Sequence, residues 1–181
     1  MMPAVIRRIA PARILLVILA TTVVWLMVFD ALDAPKPEET VHVFIAALSV
    51  DTETLENALM EALDDEGIRS VLITVIRESD AFFPTAMMTQ GLLVSDLLIL
   101  PMPILSDFSL KEQFRSLPSA DPSVQPVLEN GLIVGLVVEP DTLSFDVVFE
   151  TEEPYGLFTN TTSVHEDSLL EIIRTVMLVS P

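Results

Sequence analysis

The chain contains no cysteine. That excludes disulfide staples, thiol nucleophiles, thiolate metal sites and a lipid-modified cysteine anchor. Histidine is almost as scarce. His42 and His165 are the only two, they are 123 positions apart, and they share no metal-ligand spacing. No metal site and no cofactor is therefore expected. The five glycines form no phosphate-cradling loop and no G-x-S-x-G turn. Basic residues are few as well: nine Lys and Arg stand against 27 Asp and Glu, for a net charge of −18. Such a surface repels phosphate backbones, so no nucleic-acid partner is expected. A small solute or cationic ligand is compatible with it.

The one long feature is apolar. Residues Ile14 to Phe29 (ILLVILATTVVWLMVF) run without a charge, and Ala31 and Leu32 extend the run past Asp30. Arg7, Arg8 and Arg13 precede it; Asp30, Asp33, Glu38 and Glu39 follow. Length and charge asymmetry together predict an uncleaved transmembrane signal anchor, with a cytoplasmic N-terminus and the rest of the chain extracytoplasmic. A cleaved signal peptide is the alternative, opposed by the length of the apolar run and by Leu32 at the best cleavage point. A buried core helix is the third reading, opposed by the lack of a polar stripe. The expected organisation is a cytoplasmic N-terminus over 1–13, a transmembrane segment over 14–32, a linker over 33–40 and one domain over 41–181. The linker holds two prolines, Pro35 and Pro37, which stiffen it. The domain alone carries enough chain for a single core.

Within the domain the patterning alternates between strand and helix. Val41 to Leu48 is a nearly continuous apolar run, as in a strand buried on both faces. Asp51 or Thr52 then caps a helix whose Leu55, Ala58, Leu59, Ala62 and Leu63 share one face. Gly67 supplies the left-handed stop. Ser70 to Arg77 is β-branched and reads as a second strand. Pro84 opens a further helix through Met87, Met88 and Leu92, the methionines being core residues. Asp96 to Leu100 is a short third strand. Ser109 to Glu112 forms a capping box, and Ser116 to Gln125 reads as a loop. Leu132 to Val138 and Leu143 to Phe149 flank Glu139-Pro140-Asp141-Thr142, which predicts a hairpin. Tyr155 to Thr159 is a last strand. Ser163 and Glu166 form a second capping box before an amphipathic terminal helix. Gly131 and Gly135 are turn and strand glycines, and Asp64-Asp65-Glu66 is a solvated acidic run. The predicted fold is α/β, with a mainly parallel twisted sheet of about five strands and helices on both faces.

Ligands of open parallel sheets sit beyond the carboxyl ends of the strands. Short polar residues recur at those predicted ends, beside helix starts.

Three segments carry a family likeness: VHVFIAA with TLENALMEAL, SDLLILPMPIL, and PYGLFTNTTSVHEDSLLEIIRTV. Together they resemble one lobe of the extracellular, type 2 periplasmic-binding-like solute-binding proteins of ABC transporters. The chain departs from that family in having no room for a second lobe and no anchoring cysteine. The resemblance implies Ser49, Asp51, Met102 and Asn160 as ligand contacts. It also implies a non-enzymatic binding or accessory domain, with a membrane-protein partner such as a transporter. A structural domain pairing with a second lobe-like chain is the alternative. An anchored hydrolase is weaker, because no nucleophile and base can be paired in the sequence.

Overall fold

The structure, a computed structural model, describes residues 4–107, 110–117 and 124–177. Two compact units divide at Pro35 and Lys36. The first is a single helix, α1 (Ala4–Asp33). Within it Thr21 and Thr22 return their hydroxyls to the carbonyls of Val17 and Ile18, at 2.8 and 2.9 Å, which hides their polarity along an apolar helix. Among the described residues, no helix is long and apolar enough to cross a membrane. The uncharged run within α1, Ile14 to Phe29, holds 16 residues; at about 1.5 Å per residue that is about 24 Å, short of a hydrocarbon core of about 30 Å. The transmembrane signal anchor, and with it the single-pass placement and the cytoplasmic and extracytoplasmic sides, is corrected on this ground.

The second unit opens with a short 3-10 turn, Pro37–Glu39, and enters β1 (Thr40–Ala46). A two-residue strand β2 (Ser49–Val50) follows. Helix α2 (Thr52–Ala62) is capped by Asp51, whose carboxylate accepts the Thr54 amide at 3.1 Å, satisfying one of the free amides of a first turn. Gly67 closes the next turn at φ 77°, a region costly for any residue with a Cβ. Then come β3 (Ser70–Ile76), α3 (Phe83–Ala86), a π-helical turn over Met87–Gly91, and α4 (Leu92–Val94). Met87 is core, but Met88 is exposed. Strand β4 (Leu97–Pro101) leads into α5 (Met102–Asp107). The rest is β5 (Pro126–Glu129), β6 (Leu132–Val138), β7 (Val147–Val148), β8 (Tyr155–Thr159) and α6 (Leu169–Val176). The capping box expected at Ser109 begins on a residue outside those described, as does most of the loop expected after Ser116.

Six strands form one sheet in the order β3, β1, β4, β8, β6, β5, and β2 pairs with β7 in a second, two-stranded sheet. β3, β1 and β4 are parallel; β8, β6 and β5 each run antiparallel to the preceding neighbour. The sheet is thus mixed, not mainly parallel, and has six strands rather than about five. Only the first three strands are joined by helical crossovers; the last three arrive by short or irregular connections that impose no common direction. The β1-to-β3 and β3-to-β4 crossovers move opposite ways along the sheet. Right-handed connections then put α2 on one face and α3 with its continuation on the other. Phe44 and Leu98, paired across β1 and β4, pack beneath Gly91, where an added Cβ would meet Leu98 at 3.3 Å. α6 packs beside α2 and buries Leu169, Ile172, Ile173 and Val176. At about 1.5–3 kcal/mol per buried apolar side chain, that face is what keeps so short a helix in place.

The hairpin expected at Pro140 is corrected. A tight 3-10 turn does lie over Pro140–Thr142, but the following strand leaves the main sheet and pairs with β2. The hairpin of the main sheet is β5–β6, turning at Asn130 (φ 51°) and Gly131 (φ 80°). Two consecutive positive φ angles give the twist that a two-residue hairpin needs, and Asn-Gly is the dipeptide that adopts them at least cost. The capping box at Ser163 does not start the last helix either. Ser163 gives its hydroxyl to Asp96 at 2.6 Å and Glu166 pairs with Arg115, so α6 begins later, at Leu169.

Candidate functional site

Segment 139–154 leaves β6, crosses the carboxyl edge of the parallel strands and returns as β8. Four backbone and side-chain ties hold it there. The Leu48 amide donates to the Val148 carbonyl at 2.8 Å, and the Asp51 amide to the Asp146 carbonyl at 2.8 Å. The Met102 amide donates to the Pro154 carbonyl at 2.8 Å. The Ser79 amide donates to the Glu150 carboxylate at 3.0 Å. The Ser79 hydroxyl, then its amide, hold the Glu150 carboxyl below its ordinary pKa of 4.5, aided by the charge of Arg77. Asp51 is held below 3.8 in the same sense by the hydroxyl and amide of Thr54.

Under this segment lies an open cleft of about 590 Å³. Val137, Val138, Val147, Val148, Phe149 and Tyr155 supply its apolar lining; Glu139, Asp141, Glu152 and Glu153 are its exposed acidic rim. None of its lining residues is basic. Phe149 and Tyr155 stack with ring centroids 3.8 Å apart and planes 14° off parallel. The buried Tyr155 hydroxyl donates to Glu78 beyond β3, and lies 3.4 Å from the Thr151 hydroxyl. Burial, then the Glu78 carboxylate, push the phenol above its ordinary pKa of 10.0. The stack is thereby locked, with half-buried Phe149 as its accessible ring.

The four residues that the resemblance implied do not converge. Ser49 is exposed on β2 and pairs with Val148. Asp51 is committed to its helix cap. Met102 is half-buried against Gly156, beside the cleft. These three share the carboxyl edge. Asn160 lies at the opposite edge, because β8 runs antiparallel to β4 and pairs Thr159 with Leu97. Fully buried, its amide donates to the Leu92 carbonyl at 2.6 Å and its carbonyl accepts the Thr162 amide at 3.1 Å. That is a structural role.

At that opposite edge sits a buried polar node. Asp96 accepts the His42 amide at 2.9 Å and the Ser163 hydroxyl at 2.6 Å. His165 Nε2 lies 2.9 Å from the Thr40 carbonyl and 4.0 Å from Asp96. Serine, histidine and aspartate meet here, but the serine bonds the carboxylate and the histidine bonds backbone, so no base is aimed at the hydroxyl. The node fastens β1 and β4 to the turn before α6. A second cleft, of about 680 Å³, is lined by Phe114, Arg115, Glu129 and Glu166 among others. Unlike the first cleft it holds a cation, Arg115, which pairs with Glu166 and leaves Glu112 and Glu129 as its remaining acids. Among the described residues, no group of three or more His, Asp or Glu could hold a metal ion.

The cleft lining was missed in the sequence, although a signal was there. No Lys or Arg occurs from Ser116 to Ile173, and all of segment 139–154 falls inside that cation-free stretch. Neither protein-family models nor curated proteins give any match to the chain.

Proposed function

We propose that the chain is a non-enzymatic binding domain, and that the cleft under segment 139–154 takes an organic cation with an apolar body. The carrying observation is the pairing of an apolar, aromatic lining with a rim whose only charged groups are acidic. A hydrocarbon or ring would lie against Val147, Val148 and Phe149, removing apolar surface at about 25 cal/mol per Å². An ammonium or guanidinium head would sit at the rim, each carboxylate near 4 Å contributing about 1 kcal/mol in water-like surroundings. Phe149 adds a cation–π contact of about 0.5–1 kcal/mol. The location beyond the carboxyl edge of parallel strands supports the reading, and the likeness to a solute-binding lobe points the same way. An accessory role beside a transporter rests on that likeness alone.

The test is a calorimetric titration with matched pairs, such as butylguanidinium or benzylamine against neutral isosteres of the same size. The cations bind, and the neutral compounds bind at least about tenfold more weakly. Doubling the ionic strength weakens only the cations. Equal binding by both series, or by neither, overturns the proposal.

A further inference from the structure

The two edges of the main sheet are built differently. β5 is short, starts with Pro126 and carries a register irregularity between Val127 and Leu128; these are devices that discourage strand addition. β3 has none of them. Its seven residues, SVLITVI, contain no charge and no proline, and Leu72 is 52% exposed. Among the described residues, no strand pairs with its outer side. The Ala47 amide bonds the Ile76 carbonyl, so the even-numbered residues of β3 turn their backbone groups inward. In a parallel ladder the alternate residues, Val71, Ile73 and Val75, then turn theirs outward.

We infer that β3 is the contact between two copies of this chain, paired antiparallel about a two-fold axis through Ile73. The strand itself argues for a second copy rather than a foreign one. About Ile73 it is nearly a palindrome: Val71 meets Val75 of the copy, Leu72 meets Thr74, and Ile73 meets itself. An isologous interface needs this self-complementarity. Val71, Ile73 and Val75 of each chain each donate one bond and accept one. At the flanks the same register sets Arg69 opposite Arg77 of the copy, a like-charge meeting that the acid beside each arginine offsets: Glu39 lies 3.4 Å from Arg69, and Glu150 feels the charge of Arg77. Elsewhere a chain of net charge −18 presents acids to its copy; along β3 it presents none.

Sedimentation of the full chain, with oxidative cross-linking, tests this. The wild type sediments as a dimer whose dissociation constant is below about 100 μM. Leu72→Lys, an exposed change that sets two cations diagonally across the axis, raises the constant at least about tenfold. Ile73→Cys, in a chain with no other cysteine, cross-links to a dimer on oxidation. Hydrogen-bonded antiparallel pairs hold Cα atoms about 5.5 Å apart, within disulfide reach. Leu128→Cys on the other edge stays monomeric under the same oxidation. A monomer throughout overturns the inference. So does a dimer that Leu72→Lys leaves intact and Ile73→Cys fails to cross-link, since association then runs through another surface such as α1.

Discussion

Replacing Asp96 by alanine tests whether the buried node is the fastening it is described to be. The carboxylate is almost wholly buried and accepts two hydrogen bonds, from the His42 amide and the Ser163 hydroxyl. Bonds to a charged acceptor contribute about 1.5–3 kcal/mol each, so two give about 3–6 kcal/mol. Removing the carboxylate also relieves its own desolvation, which offsets part of that sum. Asp96→Ala is thus expected to lower stability by about 2–4 kcal/mol. Asp96→Asn keeps the shape and one acceptor, and should lose about 1–2 kcal/mol. Urea unfolding followed by the near-ultraviolet dichroism of Tyr155, the sole tyrosine, reads both as shifts in midpoint at constant slope. Ser163→Ala, combined with Asp96→Ala, should cost about 1 kcal/mol less than the two singles added, because they share one bond. If Asp96→Ala lies within about 0.5 kcal/mol of wild type, the node is not a fastening.

Gly135→Ala should destabilise by about 2–3 kcal/mol in the same unfolding assay. Its Cβ would stand 2.7 Å from the Leu157 carbonyl oxygen and against the buried Phe158 ring. Gly131→Val should cost about 1–2 kcal/mol through its positive φ and shift the β5–β6 amide resonances, while Gly131→Asn should be nearly neutral. Glu150 and Asp51 have carboxyl pKa values held below 4.5 and 3.8. Their stabilisation is present above those values and lost as pH falls through the lower folded ones; Glu150→Gln and Asp51→Asn should each flatten the acid limb of a stability–pH curve. Tyr155 is shifted the opposite way, above 10.0. Its contribution is complete below pH 10.0 and declines as pH rises through the folded value, an alkaline loss that Tyr155→Phe should abolish.

The parallel half of the domain was legible because its signals are local. The apolar runs of β1, β3 and β4, the Asp51 cap and Gly67 each specify their own neighbourhood, and nothing distant overrides them. The antiparallel half was not. A strand's direction is set by its connection, and Tyr155 to Thr159 reads the same either way; taking it as parallel put Asn160 at the wrong edge. The Pro140 turn outcompeted Asn130-Gly131 as a hairpin signal because the strand after it also alternates, yet Val147 and Val148 go to β2. The Ser163 capping box failed because both of its side chains have distant partners, Asp96 and Arg115, that sequence spacing does not show. The cleft escaped notice for a related reason: its lining comes from β6, β7 and β8, which meet only after the segment folds over the sheet edge. Its charge signature, 58 residues without a cation from Ser116 to Ile173, was visible throughout.

The site itself is best tested by where a ligand lands. In a backbone and methyl chemical-shift titration with butylguanidinium, resonances of Val147, Val148 and Phe149 should move in saturable proportion to the cation, while those of Leu132 and Val134 in the second cleft stay fixed. Charge-neutral Glu152→Gln with Glu153→Gln should weaken the same shifts by about three- to tenfold. Shifts that centre on Arg115 and Glu166, or that are scattered over the whole acidic surface without saturating, would contradict a cation site at the carboxyl edge.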